Sequence, residues 1–177
     1  MGAYAVALML TKTNLPRVFA FMVAPLASSL LALVMGVICV RLSKLYFGML
    51  QLSLGSLVWA VVFRWYSFTG GDDGIHGIPM PNCISSVTGS FYFTLIISVL
   101  SLIIMYVIVC SPFGRIFQAI RDNPERSEGI GVNVTVHRLV GQIVAGFFAG
   151  VAGALFVTVE GSVFPDLMFW TLSLEIL

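Results

Sequence analysis

Side chains able to perform acid–base, nucleophilic or metal chemistry are scarce in this sequence. Its 177 residues include eight Asp and Glu, two His and three Cys. His76 and His137 belong to no cluster of carboxylates or cysteines at metal-ligand spacing, and Asp72 and Asp73 lack the alternating ligands of a calcium loop. A GxxxxGK[ST] phosphate-binding loop is also missing. The sequence therefore predicts neither an enzyme nor a metal site.

The overall composition points to a different class of protein. Hydrophobic residues make up 59% of the chain and charged residues 10%, whereas a soluble domain averages roughly 25% charged residues. The mean hydropathy is +1.02. A net charge of +1 leaves no basic surface for nucleic acid. These values predict an integral membrane protein that lies in a lipid bilayer.

Charged residues are spaced so that four long runs carry none. These runs are 18–40, 45–63, 87–110 and 139–159. A helix that crosses a hydrocarbon core of ~30 Å needs about 20 residues. Membrane barrels need short alternating segments, but these runs are apolar all round. We therefore predict an all-α fold, a polytopic membrane helix bundle with about four full transmembrane helices.

The sequence also predicts a partial membrane segment at each end of the chain. Residues 1–11 are apolar but too short to span, and they precede the first basic residue, unlike a signal peptide. The last residues stop inside an apolar pattern. We expect residues 1–177 to be part of a single transmembrane domain that is truncated at both ends.

Basic residues set the expected orientation, because cytoplasmic loops are rich in Lys and Arg. The turn after the first span and segment 111–138 share one side and carry six basic residues, against three on the other side. Segment 111–138 is therefore predicted to be cytoplasmic, and 64–86 to be an outer loop.

The cytoplasmic segment predicts two helices in succession. Ser111 followed by Pro112 is typical of a helix start, and apolar residues then recur on one face from Phe113 to Ile120. The sequence Asp122-Asn123-Pro124 ends this helix and begins a short charged one. Gly129 and Gly131 end the second helix. The product is an amphipathic helix at the membrane surface, followed by a short exposed helix.

The last span carries small residues at four-residue spacing, which favours close helix packing in lipid. The first row is Gly141, Ala145, Ala149 and Gly153, and a parallel row is Gly146, Gly150 and Ala154. Two interpretations are open, namely static packing within one bundle and a surface that slides during a transport cycle.

Several stretches together resemble a known family. They are GRIFQAIRDNPERSEGIGV, AGVAGALF, VFPDLMFWTLSLEIL, and RLSKLYFGMLQLSLGSLVWAVVFRW running into TGGDDGIHGIP. Taken in chain order, they are similar to the permease subunits of branched-chain amino acid ABC transporters, particularly the M-type subunit of the leucine/isoleucine/valine uptake system. The resemblance covers nearly the whole chain.

The resemblance implies a translocation pathway for branched-chain amino acids in the bacterial cytoplasmic (inner) membrane. The implied partners are an H-type permease subunit, two cytoplasmic ATPase subunits that bind ATP and Mg, and a periplasmic amino-acid-binding protein. No cofactor is implied for this chain. Segment 111–138 would be the coupling loop that docks on the ATPases. The docking candidates are Arg115, Arg121, Asp122, Asn123, Pro124, Glu125, Arg126, Glu128 and Gly131.

Within the coupling loop, the sequence departs from the family pattern at Ser127-Glu128-Gly129, where Ala usually flanks the Glu on both sides. Since Gly lowers helix propensity by about 1 kcal/mol relative to Ala, the length of the short helix is open. The family's Pro-Asp and Ser-x-Glu positions match Asp166 and Glu175, which are candidates for the translocation pathway.

An ion-coupled secondary transporter of amino acids, or of another small solute such as urea, is the alternative function. It would need ionisable residues near the bilayer midplane to hold its coupling ion, and the four predicted spans carry no charged residue. Hydroxyl groups on the second and third spans either line a pathway or bond to their own helix backbone. They are Ser53, Ser56, Thr94, Ser98 and Ser101.

Overall fold

The uncharged runs of the sequence fold into helices, because a helix satisfies its backbone N–H and C=O groups internally, as a bilayer requires. The computed structural model describes residues 2–4, 17–40, 42, 44–65 and 87–163. Its helices are α1 (Arg17–Cys39), α2 (Lys44–Arg64), α3 (Val87–Cys110), α4 (Pro112–Asp122), α5 (Pro124–Gly129) and α6 (Val134–Glu160).

Four of these helices, α1, α2, α3 and α6, have the length and composition of membrane spans. The predicted all-α polytopic membrane bundle is therefore confirmed. Helices α1 to α3 coincide with the uncharged runs 18–40, 45–63 and 87–110 to within one residue at each end.

Helix α6 is longer than the uncharged run 139–159. Asn133 caps its first turn by accepting a hydrogen bond from the Val136 N–H at 3.2 Å, so the helix begins well before the last basic residue, Arg138. At the other end Gly161 adopts a left-handed conformation with φ 67°, which ends the helix and which glycine reaches without strain. Arg138 therefore lies on the first turns of a membrane helix.

The closest helix contact in the bundle joins α1 and α6, which run antiparallel. Gly146 faces Ala32, and Gly150 faces Pro25 and Ser28. A Cβ atom added to Gly150 would lie 2.7 Å from the Pro25 Cα atom, so only glycine allows this approach. Since lipid supplies no hydrophobic drive for helix association, such backbone proximity is the main source of packing energy.

A small buried core lies at the end of the bundle away from α4 and α5. It joins residues 2–4 to the first turns of α1 and to the end of α6, and Phe21 and Val62 pack against its edge. Its members are Ala3, Tyr4, Ala24, Ala154, Val157 and Val163. This core and the α1–α6 contact hold the first and last described spans together.

Helix α3 presents a large apolar surface. None of its residues from Thr88 to Cys110 is buried, and large side chains such as Ile96, Leu102 and Tyr106 are more than half exposed. A contiguous exposed apolar surface of this size marks contact with lipid or with another membrane protein. In the described part of the chain, α3 can therefore contact both lipid and another membrane protein.

Part of the predicted architecture lies outside the described residues. The predicted outer loop 64–86 is described only at Arg64 and Trp65. The partial segments at the chain ends fall mostly outside as well, together with the pathway candidates Asp166 and Glu175.

Candidate functional site

Helix α4 turns sharply away from α3 at Ser111. The Ser111 hydroxyl accepts a hydrogen bond from the Gly114 N–H at 3.4 Å, as expected for an N-cap. Gly114 is buried against Val109 of the preceding helix, and an added Cβ atom would overlap the Val109 carbonyl oxygen. The tight turn lays α4 back across the end of the bundle, so the predicted cap is confirmed and Gly114 is what makes the turn possible.

The apolar face of α4 packs on the first turns of α6 through an aromatic cluster. The ring centroids of Phe113 and Phe117 are 4.9 Å apart, and the His137 ring stacks on Phe113 at 5.9 Å. Phe117 also fills the space above Gly141, where an added Cβ atom would lie 2.6 Å from the ring. These contacts fix α4 to a membrane-spanning helix.

Sequence reasoning did not identify His137 as part of this cluster. A signal was available, because His137 lies four residues before Gly141 and therefore on the same face of α6. Its Nδ1 atom lies 3.0 Å from the Asn133 carbonyl oxygen, which orients the ring toward α4. His137 is a packing residue in this arrangement.

Helix α5 is short and is held by hydrogen bonds at both ends. The Asn123 side chain accepts from the Arg126 N–H at 3.1 Å, which confirms the predicted cap. The buried Ser127 hydroxyl donates to the Asn123 carbonyl at 3.0 Å, and the Ser127 carbonyl accepts from the Val132 N–H at 3.1 Å. Ser127, one of the two departures from the family pattern, therefore ties α5 to its own beginning and to the chain that follows.

The question of the helix length is answered by its two glycines. Gly129 is the last residue of α5, and Gly131 turns the chain with φ 87°. The helix ends after six residues. Ile130, between the two glycines, is 78% exposed. The tip of α5 therefore presents an apolar side chain to the solvent.

The structure brings most of the docking candidates to one exposed segment. Pro124 is half-buried, and the other eight are exposed. The exposed candidates are Arg115, Arg121, Asp122, Asn123, Glu125, Arg126, Glu128 and Gly131. Arg115, Arg121 and Asp122 lie on α4, and the others lie on or beside α5. Through Glu125, Arg126 and Glu128, α5 presents charges of both signs beside the apolar tip at Ile130.

A polar cleft of ≈ 510 Å³ lies beside α5. One wall is the turn between α1 and α2, at Val40 and Leu42, and the other includes Asp122, Glu128 and Arg138. Because both predicted cytoplasmic connections line this cleft, they lie at the same end of the bundle. It separates α5 from the α1–α2 turn, which leaves the charged face of α5 accessible.

A larger apolar cavity of ≈ 830 Å³, here the inner cavity, opens between α2, α3, α4 and α6. Its polar lining includes Gln118, Arg121 and Arg138 near α4. Further into the spans lies an amide pair, in which the Gln142 Nε2 atom donates to the Gln51 Oε1 atom at 3.0 Å. The Gln142 Oε1 atom is buried and has no hydrogen-bond partner among the described residues. Gln142 is not among the site residues predicted from the sequence. A long polar side chain within a membrane span was the signal that could have identified it.

A second cavity of ≈ 520 Å³, here the outer cavity, lies between α3 and α6 toward the end away from α4. Thr94, Ser98 and Ser101 line it, and the buried Thr94 hydroxyl has no partner among the described residues. The hydroxyls of α2 behave differently. Ser53 donates to the Met49 carbonyl at 2.9 Å and Ser56 to the Leu52 carbonyl at 3.1 Å.

The two interpretations of the hydroxyl groups therefore apply to different helices. On α2 the serines bond to their own backbone, and on α3 the hydroxyl residues face a cavity. A periodic pattern alone does not separate these cases, because both occur on apolar helices.

The first row of small residues divides between several environments. Gly141 lies under Phe117, and Gly153 lies against Ala3. Ala145 and Ala149 are exposed, and Ala145 lines the inner cavity. Close approach to α1 occurs instead at the second row, through Gly146 and Gly150.

Comparison with known proteins gives consistent matches. The family model described as branched-chain amino acid transport system / permease component matches residues 1–177. The chain is similar to the high-affinity branched-chain amino acid transport system permease protein LivM of Salmonella typhimurium, with 26% identity over 94% of this chain and 45% of that protein. LivM of Escherichia coli strain K12 is 25% identical over the same shares of both chains. The chain thus spans a little under half the length of these curated relatives. No solved structure matches it significantly.

Proposed function

The chain belongs to the branched-chain amino acid transport system permease family, and from this premise we propose that it forms part of the translocation pathway of an ATP-driven importer of branched-chain amino acids. Segment 111–138 is the coupling loop of this importer. The importer resides in the cytoplasmic (inner) membrane of a bacterium, with α4 and α5 on the cytoplasmic side. The family membership, the four apolar helices and the distribution of basic residues support this assignment.

The proposal rests on how differently α4 and α5 are attached to the membrane spans. Helix α4 is fixed to α6 by Phe113, Phe117 and His137, so it moves with a membrane span. Helix α5 is attached to α4 through Asn123 and presents exposed charges. A motion imposed on α5 from the cytoplasm is therefore transmitted to α6 through packed aromatic rings, which are stiffer than a flexible loop.

The proposed partners are those that the family resemblance implies, and the uncovered surfaces of the described chain leave room for them. One of the two cytoplasmic ATPase subunits, which supply the ATP and Mg sites, docks on α5 and its apolar tip. An H-type permease subunit covers part of the exposed apolar surface, of which α3 is the largest example. A periplasmic binding protein delivers the amino acid to the opposite end of the bundle. Asp166 and Glu175, which match family positions in sequence, are proposed to belong to the pathway.

This function predicts ATP-driven uptake by the complete transporter in proteoliposomes. We expect uptake of labelled leucine that requires ATP inside the vesicles and the binding protein outside, and that unlabelled isoleucine and valine reduce by competition. The control is the same preparation with a catalytically inactive ATPase, which should import nothing. Uptake driven by a proton or sodium gradient without ATP would instead establish the secondary transporter.

A further inference from the structure

The inner and outer cavities lie end to end along the contact between α3 and α6. Two residues line both of them, Met105 of α3 and Phe148 of α6, and no other described residue does so. The side chains of this pair therefore stand where the outer cavity ends and the inner cavity begins.

Each helix contributes one continuous face to the two cavities. On α3 the lining residues Thr94, Ser98, Ser101, Met105 and Ile108 are three or four positions apart, which places them on one stripe. The distance along the helix axis from the first to the last is about 21 Å at 1.5 Å per residue. This length covers most of a hydrocarbon core of ~30 Å.

The polar groups lie on both sides of the shared pair. Hydroxyl groups from Thr94 to Ser101 line the outer cavity. The amide pair of Gln51 and Gln142 lines the inner cavity, together with Arg121 and Arg138 at its end near α4. The Gln142 Oε1 and Thr94 Oγ1 atoms lack partners among the described residues, and an unpaired buried polar atom destabilises the structure that holds it. Both groups therefore gain from a rearrangement that gives them a hydrogen-bonding ligand.

Both cavities are open on one side, and we propose that Met105 and Phe148 form one wall of the constriction of the translocation pathway, between an outer vestibule and an inner one. The solute that fits this arrangement is a zwitterion with an apolar side chain, since its charged groups need a few hydroxyl and amide partners and its side chain needs apolar walls. The inference deepens the proposed function and rests on it for the identity of the solute. The position of the constriction rests on the two cavities alone.

Thiol labelling of the complete transporter in membrane vesicles tests the constriction. Cys39, Cys83 and Cys110 are first replaced by serine, and single cysteines are introduced by Ser98→Cys in the outer cavity or Ala145→Cys in the inner cavity. A charged, membrane-impermeant methanethiosulfonate reagent is added on the side away from α4 and α5. We expect rapid labelling of Ser98→Cys and little of Ala145→Cys. The matched control is Leu100→Cys, which is exposed on α3, lines neither cavity and should not react.

Widening the constriction should then expose the inner cavity from outside. Phe148→Ala combined with Ala145→Cys should label several-fold faster than Ala145→Cys alone, and Met105→Ala should have the same effect. Phe147→Ala is the control, because Phe147 is its exposed neighbour and lines neither cavity. Equal labelling rates with Phe148→Ala, Met105→Ala and Phe147→Ala, or failure of Ser98→Cys to react, would overturn the proposal. Labelling does not depend on the solute imported, so this result and the uptake result can fail independently.

Discussion

We expect Gly150→Leu to prevent the packing of α1 against α6 and to abolish assembly of the transporter. A Cβ atom at this position would lie 2.7 Å from the Pro25 Cα and 2.8 Å from the Ser28 Cβ. Backbone atoms of a helix cannot rotate aside as a side chain does, so the two helices must separate. Overpacking a core contact costs about 1–3 kcal/mol and sometimes more, and here the lost packing extends along the whole helix pair. The measurement is the amount of monodisperse protein extracted from membranes, followed by its thermal stability in detergent.

Gly55→Leu is the matched control for this substitution. It is the same change on another apolar helix, α2, where an added Cβ atom has nothing within 4 Å. We expect protein yield and thermal stability close to those of the unmodified chain. Gly150→Ala should lie between the two variants, because one methyl group displaces the helices less than a leucine side chain. Equal stability of Gly150→Leu and Gly55→Leu would mean that α1 and α6 are not in contact at this position.

The second large effect is expected from removing two charges of α5. We predict that Arg126→Ala together with Glu128→Ala abolishes the stimulation of ATP hydrolysis by leucine and the binding protein, while the protein remains in the membrane. Both side chains are exposed, and neither forms a cap or a packing contact of α5. Their loss therefore leaves the helix intact and removes only its complementarity to the ATPase surface. The measurement is ATPase activity of the reconstituted transporter with and without substrate.

The chain offers a control of the same chemistry at the other end of the bundle. Arg64 ends α2 and Glu160 ends α6, and both are exposed on the side away from α5. Arg64→Ala together with Glu160→Ala removes the same two residue types but should leave stimulated ATP hydrolysis unchanged. Full stimulation in the Arg126 and Glu128 variant, or its equal loss in both double variants, would contradict a docking role for α5.

How far the sequence predicts the fold depends on which signal a helix carries. Spans appear as uncharged runs, and the charges at Arg17, Arg41, Lys44 and Arg64 predict the limits of α1 and α2 to within two residues. Helix α4 is amphipathic, so the pattern from Phe113 to Ile120 predicts both the helix and its buried face. Asn123 and Pro124 likewise predict the start of α5, because cap chemistry is local.

The contacts between spans could not be predicted in the same way. Helices α2 and α3 are apolar on all sides, so periodicity does not show which face meets a neighbour. Two rows of small residues on α6 look equivalent in sequence, and only the position of Pro25 and Ser28 on α1 selects the row that contains Gly150. The amide pair of Gln51 and Gln142 joins residues far apart in the chain, and it depends on the relative placement of α2 and α6.

Photo-cross-linking in the complete transporter shows whether α5 docks on a cytoplasmic ATPase. A photoreactive residue replaces Ile130 at the exposed tip of α5, and in a separate variant replaces Met22, which is exposed near the opposite end of α1. We predict a covalent adduct between position 130 and the ATPase subunit, and none between position 22 and that subunit. An adduct of position 130 with the periplasmic binding protein would show that α5 does not face the ATPase. So would the absence of an ATPase adduct in a transporter that hydrolyses ATP in response to leucine.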